Sequence, residues 1–176
     1  MKNILVFAGS NSKTSINKQL ATFAGHSIDS AKMKILDLND FNLPLYSIDL
    51  ENEEGIPKHA HTFLDFIKET DGIILSLAEH NGAYSTAFKN LFDWLSRIEG
   101  KCWGDKTMLL MATSPGERGG KSVLEIAKNR LPKQGAKIVS TFSLPSFNEN
   151  FSANGLKNQN LSEALAQAIN TFKSNL

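Results

Sequence analysis

The 176-residue sequence holds a single cysteine, Cys102. One cysteine excludes a disulfide within the chain and any metal site built from several thiolates. Because Cys102 lies in no nucleophile motif, we expect a structural thiol. His59 and His61 have no evident third ligand nearby, so we expect surface histidines and no metal site.

Long apolar runs and an excess of charge are also absent. No apolar run approaches the roughly 20 residues that cross a bilayer. Nineteen Lys and Arg against eighteen Asp and Glu leave a formal net charge of +1, which gives no general attraction for nucleic acid or membranes. The apolar stretch at residues 4–7 is too short for a signal-peptide core. We therefore expect a soluble, cytoplasmic protein with neither nucleic acid nor membrane as a partner.

What is present is an alternation of short apolar runs and amphipathic segments. The runs predict strands at residues 4–8, 34–38, 73–78, 107–112 and 137–142. Helical spacing of apolar residues predicts helices over about 15–28, 57–67, 88–95, 121–131 and 162–173. The long connection after the second strand is expected to be a surface loop.

This alternation predicts an α/β fold, because parallel strands need crossover helices that cover both faces of the sheet. We expect one flavodoxin-like domain over residues 1–176: a three-layer sandwich with a five-stranded parallel sheet in the order 2-1-3-4-5. Ligands bind such sheets at the carboxyl ends of the strands, between strands one and three. The loops after strands one, three and four are the richest in Gly, Ser and Asn.

The first of these loops covers residues 9–17. Its amides and hydroxyls lead into a helix N-terminus, where unsatisfied N–H groups and partial positive charge can hold a phosphate. A hydroxyl-rich helix cap explains the same residues equally well. Lys13 offers a mobile cation. Neither a G-x-G-x-x-G fingerprint nor a G-x-x-x-x-G-K-[ST] loop is present, which disfavours nucleoside triphosphate chemistry.

The other two loops offer different chemistry. Residues 78–85 carry hydrogen-bonding groups suited to a flat heteroaromatic ring, although an exposed strand-to-helix turn is the alternative. Residues 114–120 contain three glycines, which allow the backbone to approach a ligand closely. Arg118 is a candidate contact for a cofactor phosphate, or else a solvated arginine.

Together these segments resemble the NADPH-dependent FMN reductase family of flavodoxin-like proteins, which includes quinone, chromate and azo-dye reductases. The family's first motif is G-S-x-R-x-x-S-x-N, and Ser12 stands where its arginine belongs. The second motif is P-E-Y-N-x-S/G-x-P-G-x-L-K-N-x-x-D-W. The chain departs from this motif at His80, which stands in place of the tyrosine. The residues that match the two motifs are Gly9, Ser10, Ser15 and Asn17, then Glu79, Asn81, Lys89, Asn90, Asp93 and Trp94.

Two further segments carry the resemblance. Leu43-Pro44-Leu45-Tyr46 is similar to the family's long loop after strand two, and Ser114-Pro115-Gly116 with Gly119-Gly120 is similar to its fourth segment. We expect Trp94 to lie in the core or at a subunit interface, since tryptophan is usually buried.

The resemblance implies FMN as the cofactor and NADPH or NADH as the reductant. It places the FMN phosphate among the first-loop residues, the isoalloxazine at the second loop and the ring's pyrimidine side at the third, with Arg118 as an NAD(P)H contact. The implied cofactor-binding residues are Ser10, Ser12, Ser15, Ile16 and Asn17; Glu79, His80, Asn81 and Gly82; and Ser114, Pro115, Gly116, Gly119 and Gly120. Because Ser12 replaces the arginine, we expect FMN affinity to be lower by about ten- to a hundredfold unless Lys13 compensates.

The activity that the resemblance implies is hydride transfer from NAD(P)H through FMN to a quinone-like or other small acceptor. The flavin supplies the chemistry, so no side chain is named as catalytic. One alternative is a flavodoxin-type electron carrier, but such carriers are usually strongly acidic and this chain is not. Another is a flavin-binding module without reductase activity. The family resemblance also implies a homodimer or homotetramer.

Overall fold

A computed structural model describes residues 1–29 and 31–176, and its centre is a parallel sheet of five strands. The order β2-β1-β3-β6-β7 is the predicted order 2-1-3-4-5, renumbered because the short hairpin β4-β5 precedes the last two strands of the sheet. Within the described residues the nine strands are β1 (Lys2–Gly9), β2 (Ala31–Ile35), β3 (Gly72–Leu77), β4 (Glu79–His80), β5 (Ala83–Tyr84), β6 (Thr107–Thr113), β7 (Lys137–Leu144), β8 (Phe151–Ser152) and β9 (Gly155–Leu156).

Helices cover both faces of this sheet. They are α1 (Ile16–His26), α2 (Ile48–Glu54), α3 (Lys58–Lys68), α4 (Thr86–Ile98), α5 (Lys121–Arg130), α6 (Phe147–Asn150) and α7 (Gln159–Ser174). Ile4 and Val6 belong to the apolar core under α1 and α7, whereas Leu5 and Phe7 belong to the core under α3, α4 and α5. Successive strand residues point to opposite faces. β1 is therefore buried on both sides, and the predicted three-layer, flavodoxin-like architecture is confirmed.

The second strand lies earlier in the chain than predicted. β2 pairs with β1 from Lys2↔Ala31 to Val6↔Ile35, so the predicted second strand exists, but its predicted bounds of 34–38 overlap β2 only at residues 34 and 35 and are wrong. The Asp37 side chain accepts from Asn39 N (2.9 Å) and caps a 3-10 turn at Leu38–Asp40. The chain thus leaves the sheet before residue 38. β2 is an edge strand with exposed lysines at positions 32 and 34, so the apolar pattern placed the strand too late in the chain.

The connection after β2 holds a helix where a surface loop was predicted. Ser47 Oγ accepts from Leu50 N (3.0 Å) and caps α2. No residue of α2 is buried, so its sequence has no apolar stripe from which a helix could be predicted. The last helix also begins at Gln159 rather than 162, because Asn158 caps it through Leu161 N (3.1 Å).

Within the described part of the chain, no helix has both the length and the apolar character needed to span a membrane.

Cys102 packs in the core on the α3, α4 and α5 side and is 1 % exposed. Burial raises the pKa of its thiol to about 12. Because the thiolate is the reactive form, we expect iodoacetamide at pH 8 to modify native Cys102 at least about a hundredfold more slowly than the guanidinium-unfolded protein. Mass spectrometry of timed samples measures both rates. Comparable rates would contradict the buried, neutral thiol.

Candidate functional site

The first predicted loop joins β1 to α1 as a compact turn made by serines. Ser10 Oγ accepts from Ser12 N (3.2 Å), and Ser15 N donates to Ser12 O (3.1 Å). Ser15 Oγ accepts from Lys18 N (3.1 Å) and is the N-cap of α1. The helix-cap interpretation of Ser15 is therefore correct. Capping by Ser15 leaves room for anion binding, because one side chain does not satisfy all of the free N–H groups at a helix N-terminus.

Ile16 and Asn17 are the first two residues of α1. Their N–H groups have no acceptor within the helix and carry its partial positive charge. An 11-residue helix provides a full dipole at this end. These amides, together with the Ser10, Ser12 and Ser15 hydroxyls, form the type of environment that binds a phosphate.

The Asn17 side chain is 2 % exposed and connects α1 to the sheet. Its Nδ2 donates to Thr113 O (3.1 Å), while its Oδ1 accepts from Thr113 N (3.0 Å) and Ser76 Oγ (2.7 Å). The amide thus satisfies both backbone groups of Thr113, as a neighbouring strand would. Because its oxygen accepts two hydrogen bonds and its Nδ2 donates one, the side chain is largely committed to the sheet, and the backbone N–H is the donor that Asn17 offers at the helix end.

The second predicted loop is a two-residue hairpin between β4 and β5. Asn81 and Gly82 have φ values of 51° and 76°, and two positive φ values at an Asn-Gly pair define the tight I′ hairpin turn. This turn fixes the position of His80 on β4. Ser85 then donates from Oγ to Gly9 O (2.8 Å), which ties the end of this loop to the start of the first.

The Glu79 carboxylate makes a hydrogen bond within the chain. Its Oε2 accepts from Val123 N (3.0 Å) in the first turn of α5. The N-cap of α5 is Gly120, which has no side chain to cap the helix. Glu79 supplies the missing acceptor, and a carboxylate is favourable at a helix N-terminus. The side chain therefore holds the second loop against the third.

The glycines of the third loop make the close packing of this segment possible. A Cβ on Gly119 would lie 2.5 Å from Ser143 Oγ, and φ is +59°. A Cβ on Gly120 would lie 2.8 Å from Ala112 Cβ. Gly116 differs, because a Cβ there meets no atom within 4 Å. Sterics therefore explain Gly119 and Gly120 without a ligand, and leave the space over Gly116 open. Arg118 Nη2 donates to Ser122 Oγ (2.9 Å), along α5.

All three loops meet around one cavity of about 200 Å³ at the carboxyl edge of the sheet, which we call the cradle. Nine predicted site residues line the cradle, together with Thr14, Ala78 and Thr113, which sequence reasoning missed. The nine are Ser10, Ser12, Ser15, Ile16, Asn17, Glu79, His80, Ser114 and Pro115. Asn81, Gly82, Gly116, Arg118, Gly119 and Gly120 are not among the lining residues.

A larger cleft of about 610 Å³ shares His80 with the cradle. Its volume lies in the range of about 300–1,000 Å³ typical of ligand pockets. One wall comes from the 3-10 turn and the chain after it, and the other from the start of α4. The lining residues are Asn11, Leu38, Asn39, Phe41, Asn42, Leu43, Leu45, His80, Ser85, Thr86, Ala87, Asn90 and Leu91.

The outer wall of the cleft is held by α4. Asn90 Oδ1 accepts from Tyr46 N (2.8 Å), and Asn90 Nδ2 donates to Pro44 O (3.0 Å). Trp94 Nε1 donates to the same Pro44 oxygen (2.8 Å), and its ring meets Tyr46 edge to face with centroids 5.0 Å apart. Trp94 is thus buried in the chain's own core. The Asn-x-x-x-Trp part of the family motif fixes the segment that forms this wall.

Replacing Asn90 with alanine is expected to loosen this wall. The substitution removes the acceptor of Tyr46 N and a donor to Pro44 O, so we expect stability to fall by about 1–3 kcal/mol and the Tyr46 amide to exchange at least about tenfold faster. Hydrogen exchange read by NMR measures the second effect. Lys89→Ala is the matched control, because Lys89 makes only an exposed pair with Asp93 (2.6 Å) on the same helix turn. An unchanged exchange rate of the Tyr46 amide in Asn90→Ala would contradict the role of Asn90 in holding this wall of the cleft.

No lysine or arginine of the described residues lines the cradle. Lys13 instead lines a separate surface pocket on the outer side of α1. The Lys18 ammonium pairs with Asp37 Oδ2 at 2.5 Å. The cradle's positive potential therefore comes from the end of α1, and the position of Lys13 gives no support to the idea that it compensates for the arginine missing at Ser12.

The fold defines a class of protein, namely flavodoxin-like α/β proteins, and the cradle lies at the sheet edge where such folds bind ligands. Residues 2–149 match the model of the NADPH-dependent FMN reductase family. The chain belongs to that family.

Two curated relatives are quinone reductases by description. The chain is 30% identical over 118 residues to a quinone reductase of Escherichia coli K12, and 34% identical over 118 residues to a 2-hydroxy-1,4-benzoquinone reductase of a Burkholderia species. Each alignment covers 66% of this chain and 62% of the relative. The chain therefore spans less than two thirds of the length of the curated relatives it matches.

Solved structures share the fold over nearly the whole chain. The flavoenzyme NAD(P)H:(acceptor) oxidoreductase FerB of Paracoccus denitrificans superposes with a TM-score of 0.75 at 24% identity and 99% coverage of both chains. An FMN-dependent NADH-azoreductase of Bacillus anthracis, solved in complex with FMN, gives a TM-score of 0.67 at 11% identity and 99% coverage of both chains.

Proposed function

We propose that this protein is an FMN-dependent NAD(P)H oxidoreductase that passes a hydride equivalent to a quinone-like small acceptor. The observation that carries the proposal is that the cradle and the cleft meet at His80, on the sheet edge where such folds bind ligands. The first-loop side of the cradle suits a phosphate, and the cleft beside the cradle suits the ring of an acceptor. Membership of the FMN reductase family supports the same ligand.

The residues present fit FMN. The Ile16 and Asn17 amides and the serine hydroxyls of the first loop would hold the phosphate, and the strand-to-loop residues 78–80 and 114–115 would border the isoalloxazine. We keep Asn81, Gly82, Gly116, Gly119 and Gly120 as proposed cofactor-binding positions through their backbone, and Arg118 as an NAD(P)H contact. When bound, FMN would accept a hydride from the nicotinamide and supply it to the acceptor.

The chain's own residues would bind the cofactor and fix its orientation. Asn17 fixes the start of α1 on Thr113, Glu79 fixes the second loop on α5, and Ser85 fixes α4 on Gly9. Each contact is between elements distant in sequence, so the three loops form one rigid edge. A rigid edge is what positions a cofactor's reactive atom against a substrate.

The names of the relatives support a quinone as the acceptor. Two of them are described as reducing quinones, and the cleft beside the cradle has apolar side chains such as Phe41 and Leu91 on its walls. A flat apolar acceptor is favoured by such walls, while the asparagines of the cleft offer hydrogen bonds to its oxygens.

The proposal is tested by FMN titration followed by anaerobic mixing with NADPH and, separately, NADH. We expect bound FMN, rapid bleaching of its absorbance, and recovery of the yellow colour when a quinone is added. FMN that binds but is not reduced by either nucleotide would indicate a flavodoxin-type carrier. Failure to bind FMN at all would contradict the proposal.

Three further predictions accompany this function: a single domain over residues 1–176, a cytoplasmic location, and a homodimer or homotetramer. Light scattering coupled to size-exclusion chromatography measures the oligomeric state directly. A monomer at micromolar concentration would contradict the last of them.

A further inference from the structure

Among the described residues that line the cradle or the cleft, the ionisable side chains are those of His80 and Glu79. The other polar groups are asparagine amides and serine or threonine hydroxyls. Amides and aliphatic hydroxyls form hydrogen bonds but do not change protonation state at physiological pH. Any proton that the walls themselves give to a bound molecule must come from one of the two ionisable groups.

Glu79 is already committed elsewhere. Its carboxylate accepts the N–H of Val123 at 3.0 Å and faces the helix end of α5. The carboxylate acts there as the hydrogen-bond acceptor that the glycine N-cap of α5 lacks. Glu79 also lines the cradle and is not a lining residue of the cleft.

His80 differs on each of these points. Its side chain is exposed, lines both cavities, and is held on β4 by the Asn81-Gly82 turn. A histidine changes protonation state within the physiological range and can give a proton from either ring nitrogen. The imidazole thus lies where a molecule in the cleft meets a ligand in the cradle.

We propose that His80 is the proton donor to the acceptor, an inference that rests on the proposed function. Reduction of a quinone to a hydroquinone takes one hydride equivalent and one proton. The hydride goes to one end of the conjugated acceptor, and the electron pair of the opposite carbonyl moves to its oxygen. The imidazolium N–H bond of His80 breaks, the proton forms the O–H bond, and neutral imidazole regains a proton from water.

The first test separates proton transfer from electron transfer. FMN-loaded protein is photoreduced without nicotinamide and mixed anaerobically with 1,4-benzoquinone or with ferricyanide, which takes electrons and no proton. We expect the ratio of the quinone rate to the ferricyanide rate to fall at least about tenfold in His80→Gln and His80→Phe. His80→Tyr, which restores the family residue and an O–H donor, should recover part of the ratio.

The second test uses binding and needs no flavin. FMN-free protein is titrated with 2-hydroxy-1,4-naphthoquinone, whose anion resembles a quinone that is gaining negative charge. We expect His80→Gln to bind it at least about tenfold more weakly than the unmodified chain at pH 6, because the ring N–H groups of His80 are the proposed donors to the anion.

Each outcome decides the proposal. A lower quinone-to-ferricyanide ratio with partial recovery in His80→Tyr supports it, as does weaker naphthoquinone binding by His80→Gln. Equal ratios in the unmodified chain and His80→Gln, or equal naphthoquinone binding by the two proteins, overturn it. Since reduction is photochemical, inertness toward NAD(P)H overturns the proposed function and leaves this test intact.

Discussion

Asn17→Ala is expected to lower the free energy of unfolding by about 3 kcal/mol, the largest stability effect in the first loop. The substitution leaves the N–H and C=O of Thr113 and the hydroxyl of Ser76 without their partner. Ser76 and Thr113 are 0% and 1% exposed, so water cannot replace the amide. A buried polar group without a partner costs about 1–3 kcal/mol.

Asn17→Asp tests the same hydrogen bonds with a side chain of almost the same shape. The new oxygen would face Thr113 O where Nδ2 now donates, and the added charge would be buried. We expect a loss at least as large as that of alanine at pH 7. Urea unfolding followed by circular dichroism measures both variants. Asn170→Ala on the exposed side of α7 is the control and should stay within about 0.5 kcal/mol.

A loss below about 1 kcal/mol in both Asn17 variants would contradict the structural role of this amide. Such a result would instead favour Asn17 as a direct phosphate ligand, as the family resemblance implies. The stability and FMN affinity of each variant are therefore measured together.

Ser12→Arg is expected to tighten FMN binding by about ten- to a hundredfold. Ser12 is exposed on the wall of the cradle, and the family carries arginine at this place in its motif. An arginine there would add a charge-assisted contact to a phosphate, worth about 1.5–3 kcal/mol. No lysine or arginine of the described residues lines the cradle, so this charge would be the first basic side chain on its wall.

Fluorescence quenching of FMN measures the dissociation constant of this variant. Gln167→Arg, on the exposed surface of α7, adds the same charge elsewhere and should leave the constant unchanged. The gain in Ser12→Arg should also shrink as salt is added, since exposed charge pairs are screened. An unchanged constant in Ser12→Arg would place the phosphate outside the cradle.

The buried part of the fold could be predicted from the sequence. β1 and β3 are continuous apolar runs, since both of their faces are covered by helices. The alternation of strands and helices predicted a parallel sheet, and the order 2-1-3-4-5 is the one that flavodoxin-like sheets adopt. The three polar loops follow strands one, three and four. β2 and α2 could not be placed, because neither carries the apolar pattern of a buried element.

The candidate site was predictable only in part. The cradle lies between loops that follow parallel strands, so sequence order was enough to bring them together. The cleft depends on contacts such as Asn90 with Pro44 and Trp94 with Pro44, which join segments far apart in the chain. The roles of Asn17 and Glu79 were also hidden, since a residue type does not say whether its polar atoms face a ligand or the protein.

The central claim is that the cradle holds the phosphate of FMN, and titration with FMN and with riboflavin tests it most directly. The two molecules share the isoalloxazine and differ in the phosphate. We predict that FMN binds at least about tenfold more tightly than riboflavin, because the N-terminus of α1 and the serine hydroxyls are the proposed partners of the phosphate, which riboflavin lacks. Equal affinity for the two, or tighter binding of riboflavin, would contradict the account.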